Sequence, residues 1–141
     1  MSQAIIRKLL ETRLNAMSPA LPTAFENVPY AVVARTADQR VQLLMAAPDH
    51  PTMGALNGSG TALRRESGIL QVTLHHPENA GPAPTEARLA LLTNQFYRGL
   101  VLAEGAVRLV IDTSPSAGPG RNEGGFYVVP VSIGFYADVY S

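Results

Sequence analysis

The chain of 141 residues has the length of one domain that builds its own core. Charged residues make up 16% of it, against about 25% in a typical soluble domain, and eleven basic residues balance eleven acidic ones. That balance gives no sign of the basic patch a strong electrostatic grip on nucleic acid needs, and the lack of any cysteine excludes disulfides, thiolate nucleophiles and cysteine-held zinc.

Arg7 and Lys8 interrupt the first apolar run, so no signal peptide is expected. No apolar stretch approaches the roughly 20 residues of a membrane span, and the expected compartment is the cytoplasm. The N-terminal segment reads as a helix over 2–17, capped by Ser2, with Ile5, Ile6, Leu9, Leu10, Leu14 and Met17 at helical spacing. Pro19 and Pro22 end it. Residues 28–34 read as a first strand, broken by Pro29 and hence at an edge. A hairpin loop over 35–39 leads to a second strand at 40–47, where Val41, Leu43 and Met45 share a face. Alternation of Leu70, Val72 and Leu74 with Gln71, Thr73 and His75 gives a third strand at 69–75.

Pro84 and Thr85 open a second helix that runs to 98 with Leu89, Leu92 and Phe96 as its stripe, and Gly99 stops it. Strands at 106–113 and 126–139 follow, the last carrying Tyr127, Val129, Val131, Ile133 and Phe135 at period 2. Pro130 removes a ladder donor there, which makes that strand an edge or a bulged one. Two segments rich in Gly and Pro, 48–68 and 114–125, remain as long loops. The reading is one α+β domain over 1–141, a single mixed or antiparallel sheet of about five strands with two helices on one face, in the order α-β-β-β-α-β-β.

Chemistry is sparse. Gly58-Ser59-Gly60 lacks the flanks of a nucleophile elbow, and Gly118–Gly124 precedes a strand where a dinucleotide fingerprint needs a helix. His75 and His76 are adjacent on a strand and point to opposite faces, so they do not share a metal ion. Pro77 after them places the pair near solvent. His50 beside Asp49 is a lone dipeptide in a loop, and Asp38, Asp112 and Asp138 are scattered in positions that suit solvated turns. No catalytic, cofactor or metal site is assigned, and no enzymatic activity or sequence-specific DNA binding is expected.

Four stretches carry a family likeness: Met17–Asn27 at the end of the first helix, Pro48–Gly54, Gly68–Val72, and the ending Tyr127–Ile133. Together they resemble a family of small phage and prophage tail proteins similar to the tail terminators of long-tailed phages. That resemblance implies a structural protein without a cofactor, which assembles as a hexameric ring on the finished tail tube and meets the head-completion complex. Its implied partners are copies of itself, the tail tube and the head-completion proteins; its implied places are the host bacterial cytoplasm during assembly and then the virion tail. A Gly-rich insert at 56–63 departs from the family pattern.

On this reading Met53, Leu56, Arg64, Arg65 and Pro130 are the candidate contacts with neighbouring subunits. The segment 48–67 is expected to be mobile alone and ordered on assembly, because its residues cannot offset their own ordering entropy. Two alternatives stand beside it. One is a head–tail connector or tail-completion protein of the same fold. The other is a small-ligand-binding α+β domain with an apolar cavity lined by Leu92, Phe96, Val129 and Ile133.

Overall fold

The computed structural model describes residues 2–18, 20–33, 36–46, 52–53, 63–79 and 81–140, with the side chains of 2, 52, 53, 63, 64 and 140 left aside. Helix α1 spans Ser2–Asn15. Its buried side chains Ile6, Leu10 and Leu14 recur every fourth residue, and Met17 joins them from the turn that follows. Helix α2 spans Ala83–Gln95, with Pro at its first turn where no amide partner is needed. It stops three residues before the expected end because Phe96 leaves helical geometry (φ −118°, ψ 57°), and Gly99 supplies the left-handed residue (φ 94°) just beyond.

The strands are β1 (Thr23–Ala24), β2 (Asp38–Met45), β3 (Thr52–Met53), β4 (Leu63–Pro77), β5 (Val101–Glu104), β6 (Val107–Ala117), β7 (Arg121–Glu123) and β8 (Phe126–Tyr140). They form one mixed sheet in the order β1-β2-β4-β8-β6-β5, with β3 on the far end of β4 and β7 on the near end of β8. Among the described strands only β1 and β2 pair in parallel. At its centre β4 and β8 pair residue for residue from Leu63↔Tyr140 to Pro77↔Phe126.

Alternation along the strands divides the sheet into two faces. The inner face holds Val41, Leu43, Leu70, Val72, Leu109, Ile111, Val131, Ile133 and Phe135, all buried in one cluster with Leu10, Leu92 and Phe96 of the helices. Both helices pack on this face, as expected. Their C-terminal ends are tied by a reciprocal pair: Arg13 Nε donates to the Gln95 carbonyl (3.0 Å) and Gln95 Nε2 to the Arg13 carbonyl (2.7 Å).

Several expectations are corrected. Residues 28–33 form no strand: Asn27 turns the chain (φ 55°), Val28 N–H is spent on the Phe25 carbonyl at 3.3 Å, and Pro29 has no N–H to give. The edge position passes to the two-residue β1, which lies parallel to β2, so the expected hairpin partner is absent among the described residues and Asp38 and Gln39 are strand residues. The segment 114–125 is mostly strand, because β6 continues to Ala117 and β7 returns along β8. From 48–68 the residues 63–68 belong to β4 and 52–53 to β3; the rest of it, including Leu56, lies outside the described residues, and so does the expected mobility. Strand β5, unforeseen, is a four-residue return joined to β6 across Gly105 (φ 59°).

Pro130 is not on an edge. It pairs with Thr73 on one side. On the other, its carbonyl accepts from Gly118 N–H (2.7 Å), where β6 has ended and the chain crosses to β7. In a strand the amide and carbonyl of one residue face the same side, so the missing donor of Pro130 faces that crossover. The bulge half of the expectation has a counterpart: β6 shifts register twice along β8, between Ile111 and Thr113 and between Thr113 and Ser116.

Candidate functional site

Among the described residues no helix covers the outer face of the sheet, and polar groups lie on both faces. Asp38, at the start of β2, is 1% exposed. Its Oδ2 accepts from the Tyr30 hydroxyl (3.1 Å) and its Oδ1 lies 3.5 Å from His75 Nδ1. The His75 ring meets Phe126 edge-on, centroids 5.9 Å apart. Burial, then the hydrogen bond to Asp38, holds the Tyr30 phenol above its ordinary value. Tyr30 thereby fastens residues 25–33 to the end of the sheet, and Glu26 fastens them at a second point. Its Oε1 accepts from Leu43 N–H (2.6 Å) and from Arg7 (3.0 Å). The Leu43 amide bond, reinforced by Arg7, lowers the Glu26 carboxyl below the usual range.

His76 faces inward, bonded to Thr85 Oγ1 (3.2 Å) beside buried Arg88. Burial first, then the Arg88 charge, lowers its pKa. Arg88 Nη2 donates to Gln39 Oε1 (3.4 Å), and Gln39 Nε2 donates to Thr23 Oγ1 (3.0 Å). The histidine pair is therefore buried rather than near solvent. The opposite facing was legible from the alternation; the burial was not, because the residues that meet the two rings, Phe126 and Thr85, come from two other segments.

Asp138 is likewise no solvated turn residue. It lies in β8 and accepts two bonds from Arg65, at 2.8 and 3.2 Å, while the guanidinium stacks 4.0 Å over the Tyr136 ring. The bonds to Asp138 raise the Arg65 pKa further. Asp112 lies within β6 at a register shift, where it accepts from Thr113 (3.2 Å). His50 and Asp49 lie outside the described residues. Among the described residues no group of three His, Asp or Glu is arranged to hold a metal ion, and no helix is long and apolar enough to cross a membrane.

Of the candidate contacts, Arg65 is half-exposed and already engaged with Asp138, and Pro130 sits mid-sheet. Met53 and Arg64 are strand residues in β3 and β4. Strand pairing places Met53, Arg64 and Arg65 beside one another at the Leu63 end of β4, and Pro130 lies apart from them opposite Thr73. Two open grooves mark the outer face. One of about 370 Å³ includes Arg40, Thr73, His75, Arg121 and Glu123 in its lining. The other, about 580 Å³, has Leu44, Ile69, Thr113, Ser132 and Gly134 in its walls. Leu92, Phe96, Val129 and Ile133 line neither; all four are packed in the interior, at most 4% exposed.

A family model described as phage tail terminator protein matches residues 5–135 of the chain. The chain belongs to the phage tail terminator family. A solved structure resembles this tail-terminator domain with a TM-score of 0.75 and 28% identity, covering 99% of this chain and 96% of the other. No curated protein sequence matches it. Membership places the domain among phage tail structural proteins, and the α+β architecture agrees with the resemblance.

Proposed function

We propose that this chain is a structural, non-enzymatic subunit that caps the phage tail tube as a ring and joins it to the head-completion complex. The family match over residues 5–135 carries the reading. The use made of the reactive side chains supports it: Asp38, His75, His76 and Asp138 each hold two segments of the fold together. Met53, Leu56, Arg64 and Arg65 are the proposed contacts with neighbouring subunits, made in the host cytoplasm and kept in the virion tail. Adding the purified protein to tails assembled without a terminator should stop tube growth at the normal length and make the tails competent to join heads, seen by electron microscopy. Tails that keep elongating in its presence would refute the reading.

A further inference from the structure

The sheet has two ends, and each is open over a short stretch. At the β5 end, Ile111 N–H donates to the Leu100 carbonyl (2.9 Å), which fixes the direction of every backbone group that follows. Leu102 and Glu104 turn their amides and carbonyls toward β6, and Val101 and Ala103 turn theirs outward, where no described strand pairs with them. At the β2 end, Gln39 N–H meets the Pro22 carbonyl (3.0 Å) and Leu43 N–H meets Glu26 (2.6 Å), while Ala46 N–H turns inward to Ser67 (2.9 Å). Among the described residues, the outward groups without a partner after Glu26 are the Leu43 carbonyl and the amide and carbonyl of Met45, beyond the β1 pairing.

These two sets match. Strands β2, β4, β8, β6 and β5 alternate in direction, so β5 runs the same way as β2. A second copy set beyond β5 in the same orientation presents its β2 in parallel. In a parallel pair, one residue bonds the two residues that flank its opposite number. Val101 then faces Leu44: its amide meets the Leu43 carbonyl and its carbonyl meets the Met45 amide. Side chains of facing residues share one side of the sheet, and Val101 and Leu44 both lie on the outer face, 44% and 40% exposed, with Ile69 (41%) next to Leu44. Neither stretch offers an unpaired charge to the other, because Glu104 is bound by Lys8 (2.9 Å) and Glu26 by Arg7 (3.0 Å).

We propose that β5 of one copy adds to the Leu43–Ala46 stretch of the next, making one sheet continuous between subunits. The seam rests on the ring reading and names its contact. The contact is heterologous, so it repeats around a ring rather than closing a dimer.

The chain has no cysteine, which makes cross-linking unambiguous. A Leu44→Cys/Val101→Cys double variant, oxidised in the presence of tail tubes, should give a ladder of disulfide-linked multimers, and each single variant should stay monomeric on a non-reducing gel. Ala103→Pro removes an outward amide while leaving the β5–β6 ladder intact, so it should melt with the wild type yet lose rings by native mass spectrometry. Efficient dimers of Val101→Cys alone would mean symmetric β5–β5 pairing and would overturn the seam. Rings that form without the double-variant ladder, or from Ala103→Pro, overturn the seam and leave the ring reading standing. Wild-type protein that binds tubes without ever forming rings overturns both.

Discussion

The inner and outer faces of this sheet are built from the same strands and obey different rules. Inside, every second residue of β8 from Val129 to Val139 is buried, and those from Val131 onward share one cluster with helix side chains. Outside, the alternate residues of that strand run through Val128, Pro130, Ser132, Gly134, Tyr136 and Asp138, and their neighbours are held by hydrogen bonds and ion pairs as much as by apolar contact. Stability is concentrated on one face, which leaves the other available for contact with neighbours.

The largest expected effect tests the inner face. Leu92→Ala or Ile133→Ala should cost about 2–5 kcal/mol in urea unfolding, because both side chains are fully buried. A loss under about 0.5 kcal/mol for both would mean that this face is not the core. Gly68→Ala comes next. A Cβ there would lie 2.6 Å from the Leu44 carbonyl oxygen and 3.0 Å from Phe135 Cζ, and backbone does not yield as a side-chain tip does. The expected loss is about 1–3 kcal/mol, and an unchanged midpoint would show that β2 and β4 shift freely.

Acid should act through two groups in turn. Burial keeps the His76 pKa low in the native protein, so the unfolded chain takes up a proton first as pH falls below about 6.5. Stability is full above that pH and declines beneath it as pH falls toward the native value. Glu26 has a depressed carboxyl pKa, so its contribution is present above about pH 4.3 and disappears further down. Unfolding at a series of pH values should show both phases; His76→Gln should flatten the upper one and Glu26→Gln the lower. A single phase untouched by either variant would remove these groups from the account. The smallest effect belongs outside: Leu44→Ser or Ile69→Ser should change stability by under about 0.5 kcal/mol, since each is about two-fifths exposed. A larger loss would erase the contrast between the faces.

Those same faces explain what could be read without coordinates. Strands β4 and β8 were legible because Leu70, Val72 and Leu74, and Val129, Val131 and Ile133, repeat at period 2 over several residues. Strand β5 was not, since four residues between a helix stop and a turn carry no sustained period. The supposed strand at 28–34 had β-formers, but Val28 N–H goes to the turn at Asn27 and Tyr30 is anchored to Asp38. Asp38 looked like a loop-tip residue because its partners, Tyr30 and His75, lie 8 and 37 positions away. Long-range polar pairs leave no periodic trace, so the outer face was the less legible of the two.

The unbroken β4–β8 pairing also has a mechanical meaning. Fifteen residues in each strand extend roughly 50 Å at about 3.3 Å per residue. A load that pulls β4 from its Leu63 end against β8 from its Phe126 end strains the whole ladder at once, whereas pulling at Pro77 and Phe126 opens it rung by rung. Single-molecule stretching should find the first geometry far more resistant than the second, so the molecule has a strong axis along these strands.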